Sequence, residues 1–91
     1  MNKEELVERV AEQTGATKKD VAAILNAARD LIAAELRRGQ RVTLVGFGTF
    51  TVRTRRAREG RNPQTGAPIH IPARNVPAFT PGKDLKATIN G

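Results

Sequence analysis

A run of turn-forming residues, Gly60-Arg61-Asn62-Pro63-Gln64-Thr65-Gly66, constrains the fold of this chain most strongly. Its glycines permit positive φ, Pro63 fixes φ at about −65° and lacks an N–H donor, and Asn62 can bond its own neighbouring backbone. Thr49 to Arg58 before the run is rich in β-branched residues, and Ile69-His70-Ile71 after it alternates apolar with polar side chains. The run is therefore predicted to be the exposed tip of a two-stranded ribbon.

The predicted ribbon carries a high density of positive charge. About six residues out and six back, at roughly 3.3 Å per residue, give an arm about 20 Å long. Five arginines line its outgoing strand: Arg53, Arg55, Arg56, Arg58 and Arg61. Since a thin arm of this kind has almost no apolar surface of its own, we expect it to bind a partner.

The net charge of +7 lies entirely in the second half of the chain. Residues 1–40 hold seven basic and seven acidic side chains, whereas residues 41–91 hold nine basic and two acidic ones. Segregation on this scale indicates a surface that binds a polyanion.

The length of 91 residues favours one domain, 1–91, that is marginal as a monomer. There is no cysteine to form a disulfide, and no Cys or His cluster with metal-ligand spacing, so we expect an obligate dimer. The start of the chain is polar and no stretch is apolar enough to span a membrane. A cytoplasmic protein that does not engage membranes is the expectation.

Residues 1–40 are predicted to form a helical half. Asn2 and Glu5 resemble a capping box that opens a short first helix, which Thr14-Gly15 ends. Thr17 and Asp20 open a second helix with a broad apolar stripe that continues to Gly39.

Residues 41–91 are predicted to form a sheet, an arm at about 53–74 and a short C-terminal helix. Gln40–Val45 alternates as a strand, and a turn at Gly46-Phe47-Gly48 leads into the next one. Arg74–Phe79 is a return strand near a sheet edge, because it contains proline. Thr80-Pro81 is predicted to be an N-cap followed by proline at the first helical position, which opens a short helix from about Gly82 to Ile89. The three phenylalanines are expected in the core or a subunit interface: Phe47, Phe50 and Phe79.

The chain resembles the bacterial histone-like HU family, a relative of integration host factor, over essentially its full length. The resemblance is carried by Gly46-Phe47-Gly48-Thr49-Phe50, the arm run Gly60–Gly66 with Arg55 and Arg58, Pro77-Ala78-Phe79, and Gly82-Lys83 with Leu85-Lys86. It implies an α+β fold: an intertwined homodimer with an N-terminal helical body that serves dimerisation, a three-stranded antiparallel sheet, long β-ribbon arms and a short C-terminal helix.

The resemblance also implies a function, which is largely sequence-independent binding and bending of double-stranded DNA, with nucleoid compaction. The arms would enter the minor groove, and Pro63 would wedge between base pairs and kink the duplex. Apolar wedges of this kind let a protein bend DNA and contact more of it. Bent, nicked or gapped DNA would then bind better than straight duplex.

Site residues follow by position from the resemblance. Basic side chains would track the groove and its phosphates: Arg55, Arg58 and Arg61. Polar residues would lie beside the wedge: Asn62, Gln64 and Thr65. Lysines would hold the flanking duplex: Lys3, Lys83 and Lys86. Arg53 and Arg74 are expected at the base of the arm. Ala67-Pro68 and His70 replace charge that is common in the family, so the return strand is less basic.

Two other interpretations stay open from the residues. One is a sequence-preferring subunit like that of integration host factor, which would read DNA deformability. The other is a basic module for structured RNA or another polyanion. Recognition of single-stranded RNA is disfavoured because the chain has no Trp or Tyr for base stacking. We predict no enzymatic activity and no cofactor, since the basic half has two acids, one histidine and no cofactor motif.

Overall fold

The computed structural model describes all residues, Met1–Gly91, in two compact units, Met1–Ala34 and Glu35–Gly91. The chain forms three helices and five strands in the order α1 (Lys3–Thr14), α2 (Lys18–Arg37), β1 (Val42–Leu44), β2 (Gly48–Arg55), β3 (Arg58–Arg61), β4 (Pro68–Ile71), β5 (Arg74–Pro81) and α3 (Lys83–Asn90). This order confirms the predicted α+β fold class.

Side-chain caps fix the starts of α1 and α2. Oδ1 of Asn2 accepts a hydrogen bond from the N–H of Glu5 at 2.9 Å. In the same way, Oγ1 of Thr17 accepts from the N–H of Asp20 at 3.1 Å. Each cap satisfies one N–H group that the first helical turn leaves without a partner. Both helices therefore begin where the sequence predicts.

The first unit has a very small core. Val7, Ala11 and Val21 are its buried residues, and partly buried side chains pack against them: Val10, Ala16, Ala22 and Leu25. Ile24 and Leu31 on α2 are each 67 % exposed. None of the helices combines the length and the apolar character needed to cross a membrane.

The strands of the second unit form two antiparallel sheets. The larger sheet has the order β1-β2-β5, which confirms the predicted three-stranded sheet and leaves β5 at an edge. β3 and β4 form a separate two-stranded ribbon that ends in the predicted tip. The arm is thus not one continuous ladder. Strand pairing is interrupted at one level of the arm, between Arg55 and Arg58 on the outgoing strand and at Pro72-Ala73 on the return strand. Pro72 has no N–H to give to a ladder.

The predicted N-cap of the last helix, Thr80, was wrong by two residues. Thr80 and Pro81 belong to the end of β5, where they pair with Thr49 and Gly48. Gly82 is the N-cap, and its N–H donates to the carbonyl oxygen of Phe47 at 2.8 Å. Strand pairing and this hydrogen bond together override the local preference of Thr-Pro for a helix start.

The three phenylalanines form one cluster on the larger sheet. Phe50 lies directly opposite Phe79, with ring centroids 5.0 Å apart, and the ring of Phe47 lies 5.5 Å from that of Phe79. Phe47 and Phe79 nevertheless remain 46 % and 40 % exposed. The cluster is therefore a partly open apolar surface in a single chain.

Candidate nucleic-acid interface

Three arginines share one face of the three-stranded sheet at the base of the arm. Arg55 is the cross-strand partner of Arg74, and Arg53 is that of Val76. Because side chains alternate along a strand, Arg53, Arg55 and Arg74 project from the same face. Like charges placed directly opposite each other destabilise a sheet. The arrangement favours a bound anion between the two strands.

The rest of this face consists of small side chains. Thr43 and Thr49 pair across β1 and β2, with their hydroxyl oxygens 3.3 Å apart. The same face also carries Thr51, Ala78 and Thr80 by the register of β2 and β5. No long side chain stands between the arginines and this row, so an extended ligand can approach the backbone closely.

The arginines of the sheet and arm have no carboxylate partner. The ion pairs of the chain involve other residues: Lys18 with Glu8, Arg29 with Asp30, Arg38 with Glu35, and His70 with Glu59. The six arginines from position 53 to 74 are all exposed. Their charge is therefore available to a ligand and is not neutralised within the protein.

A concavity of about 350 Å³ lies where the sheet gives way to the arm. It is lined by Ile71 and Pro72 together with four arginines: Arg55, Arg56, Arg58 and Arg74. Arg56 was placed on the outgoing strand by the sequence but was left out of the predicted site. The density of arginine in Arg53–Arg58 was the signal that pointed to it.

The arm ribbon presents different chemistry on its two faces. Arg58 lies opposite Ile71, and Gly60 opposite Ile69, so one face is apolar apart from a single guanidinium. Gly60 leaves room for the Ile71 side chain, whose Cδ1 would lie 3.1 Å from an added Cβ. Arg61 belongs to the other face. The two arm arginines thus reach in opposite directions.

Hydrogen bonds around Asn62 shape the arm tip. Its Oδ1 accepts from the N–H groups of Gln64 at 2.8 Å and Thr65 at 3.4 Å, and its N–H donates to the carbonyl oxygen of Ala67 at 2.8 Å. Gly66 closes the loop with φ +73°, a conformation that disfavours side chains. This network holds the intervening Pro63 in an exposed turn.

Asn62 and Thr65 thus have structural roles at the tip. Asn62 is partly buried and supplies the turn, and Oγ1 of Thr65 accepts the N–H of Ala67 at 3.2 Å. Gln64 is exposed and no hydrogen bond involves its side chain. Of the three polar residues predicted beside the wedge, Gln64 is the one whose side chain is free for a ligand.

The predicted lysine contacts lie on helices. Lys83 and Lys86 are exposed on α3, three residues apart and therefore on neighbouring positions of its surface. In the other unit, Lys3 lines a shallow depression of about 490 Å³ together with Lys18 and Lys19. The sequence pattern did not point to these last two lysines, because they start a charge-balanced helix.

The chain is similar in sequence to known DNA-binding proteins of bacteria. Residues 1–90 match the family described as Bacterial DNA-binding protein. The chain is 56 % identical to "DNA-binding protein HRL53" of Rhizobium leguminosarum over the full length of both. It is 54 % identical to "DNA-binding protein HU" of Geobacillus stearothermophilus, covering 98 % of this chain and 99 % of the relative.

Solved structures agree on the fold. The chain in the Anabaena HU-DNA cocrystal structure superimposes with a TM-score of 0.89 and 50 % identity, covering 98 % of this chain and 97 % of the other. HU from Thermotoga maritima gives a TM-score of 0.72 at 38 % identity, with 98 % of each chain covered.

The fold and the site define a small α+β protein that presents unpaired arginines on a sheet and a projecting β-ribbon. This protein belongs to the bacterial DNA-binding protein family, the family of the HU proteins. The resemblance identified from the sequence is confirmed. Membership of a family of DNA-binding proteins also confirms the prediction that the chain is not an enzyme.

Proposed function

We propose that this protein binds double-stranded DNA with little sequence preference and bends it, as an architectural component of the nucleoid. The observation that carries the proposal is the set of unpaired, exposed arginines that continues from one sheet face onto an exposed ribbon. Regularly spaced phosphates are the ligand that matches extended, repeated positive charge. Membership of a DNA-binding family supports the same conclusion.

Electrostatics supplies most of the proposed affinity. Each phosphate neutralised by Arg or Lys releases counterions, so log affinity falls with log salt by about 0.9 per neutralised phosphate. The sheet arginines Arg53, Arg55 and Arg74 contact the backbone at the base of the arm. Arg58 and Arg61, which leave the ribbon on opposite faces, reach the two sides of a groove that holds the ribbon between them.

Pro63 supplies the bend. It is an exposed apolar residue at the end of the arm, held in a turn by the hydrogen bonds of Asn62. A rigid apolar ring at this position can separate stacked base pairs in the minor groove. Smooth bending of a 20 to 30 base-pair site by 40 to 90° costs on the order of 1 to 6 kcal/mol, and a kink confines that deformation to one step. DNA that is already bent, nicked or gapped is therefore the favoured ligand.

The functional unit is a homodimer in this proposal. In a single chain the buried apolar core consists of Val7, Ala11 and Val21 alone. It also leaves large apolar side chains exposed on both units, notably Ile24, Leu31, Phe47 and Phe79. So little buried apolar surface does not offset the conformational entropy of folding. Two copies that cover these surfaces would carry two arms on one body.

Binding and bending are tested together on matched oligonucleotides. We expect the protein to bind an intact random-sequence duplex, and to bind the same duplex with a short central gap more tightly. We also expect the ends of the intact duplex to approach each other on binding, which energy transfer between end-attached dyes measures. Equal affinity for both duplexes with no end approach would contradict bending. Tighter binding of a structured RNA of equal length would favour the RNA interpretation instead.

A further inference from the structure

The arm contains one carboxylate, and a histidine faces it. Glu59 of β3 and His70 of β4 are direct cross-strand partners. Nδ1 of His70 lies 3.1 Å from Oε1 of Glu59. Both side chains are largely exposed, at 64 % for His70 and 72 % for Glu59. The pair is therefore accessible to a ligand that binds the arm.

Few other charges face His70. The ribbon has two strands, so β3 is the only element paired with β4. On the face shared with His70, β3 contributes Glu59 directly opposite and Arg61 diagonally. Nη1 of Arg61 donates to the carbonyl oxygen of Gly66 at 3.4 Å, which draws the guanidinium towards the tip. Glu59 is therefore the charged group in contact with the imidazole.

We propose that the Glu59–His70 pair makes the grip of the arm on DNA depend on pH. This inference rests on the proposed function. With a neutral imidazole the pair carries the negative charge of Glu59, which repels phosphates beside the arm. With a protonated imidazole the pair is neutral overall, and the six arginines from position 53 to 74, on the sheet and the arm, act without an opposing charge.

The direction of the effect follows from linkage. Phosphates close to the arm attract a protonated imidazole more strongly than a neutral one, so protonation of His70 and DNA binding are coupled. By the same coupling, protonation raises the affinity for DNA. Histidine is the side chain whose charge ordinarily changes between about pH 5 and 8, and this chain has one histidine. The protein therefore binds DNA more tightly as the pH falls through that range.

The test compares the full-length protein with His70→Gln and Glu59→Gln. The probe is a fluorescent random-sequence DNA duplex, titrated at about pH 8 and about pH 5.5 at one fixed ionic strength, which bracket the usual histidine range. For the unaltered protein we expect an increase in affinity of about three- to tenfold at the lower pH, because the protonated imidazole cancels the negative charge of Glu59 beside the phosphates. For His70→Gln we expect less than a twofold change. Glu59→Gln should bind more tightly than the unaltered protein at the higher pH.

His70→Gln also controls for every other titratable group of the protein, because the variant retains them all. A measurement on the unaltered protein does not depend on the variants folding. The imidazole resonances followed by NMR should move to a higher titration midpoint when the DNA duplex is added. An unchanged midpoint would overturn the proposal.

The proposal would also be overturned if the affinity of His70→Gln responded to pH as that of the unaltered protein does. It would equally be overturned if the unaltered protein bound DNA with the same affinity at both pH values. Failure of the proposed function gives a different result. In that case the unaltered protein binds the duplex at neither pH, which contradicts both the proposed function and this inference.

Discussion

Arg55 and Arg74 are direct partners across β2 and β5, and neither forms an ion pair with a carboxylate. The larger sheet thus ends in two opposed positive charges at the point where the arm begins. A sheet gains nothing from this pairing by itself, because like charges directly opposite each other are destabilising. A phosphate bound between the two guanidinium groups would relieve their repulsion, so the pair favours binding of DNA.

Substitution of this pair should separate stability from binding. In the absence of DNA, Arg74→Gln should leave the free energy of unfolding unchanged or raise it by about 0.2 to 1 kcal/mol, because cross-strand repulsion is removed. DNA affinity should fall, and the log-log salt slope should become shallower by about 0.9 for each phosphate that the variant no longer neutralises. Denaturant unfolding and salt titrations with a DNA duplex measure the two effects.

Arg9→Gln is the matched control for that substitution. Arg9 is an exposed arginine of α1 in the charge-balanced half of the chain and forms no ion pair. It should change the salt slope much less than Arg74→Gln. An equal decrease in the salt slope for both variants would mean that net charge, and not the sheet face, governs binding.

Pro63→Ala should reduce DNA bending more than DNA affinity. The alanine lacks the rigid ring that opens a base step, whereas the arginines that supply the affinity are unchanged. The bend is measured by energy transfer between the ends of a duplex. Pro68→Ala removes a proline from β4, outside the tip loop, and should leave the bend intact. If Pro63→Ala bends DNA as far as the unaltered protein, another residue produces the kink.

Gly48→Ala should destabilise the second unit by about 1 to 3 kcal/mol, the usual effect of overpacking. An added Cβ would overlap the ring of Phe79 and lie 2.7 Å from the carbonyl oxygen of Thr80, and the backbone atom cannot move aside. Gly60→Ala is the matched control. Its Cβ would meet the flexible end of Ile71 at 3.1 Å, so the free energy of unfolding should change by less than about 1 kcal/mol. Denaturant unfolding distinguishes the two.

The melting temperature should rise with protein concentration, because folding of the proposed dimer is coupled to association. Phe79→Ala should lower it strongly. Loss of a buried Phe side chain typically destabilises by about 3 to 5 kcal/mol, and the phenylalanine cluster is the apolar surface that a second copy would cover. Ile69→Ala, on the arm, should have a much smaller effect. A melting temperature independent of concentration, with a monomer in sedimentation, would contradict the dimer.

Local sequence patterns predicted the fold well where local interactions decide it. The caps of Asn2 and Thr17 use side chains within three residues of the groups that they satisfy. The tip loop is another example, because all of its hydrogen bonds lie between Asn62 and Ala67 or involve their immediate neighbours. The helix N-cap at Thr80 was predicted wrongly because long-range pairing with Thr49 competes with it.

The sequence by itself determined the helices, the basic arm with its turn, and the segregation of charge, since each depends on residue type and spacing along the chain. Only the tertiary structure decided which residues face each other: Arg55 with Arg74, and Glu59 with His70. The physical reason is strand register. A shift of one residue would move every side chain to the opposite face, and no local pattern sets that register alone.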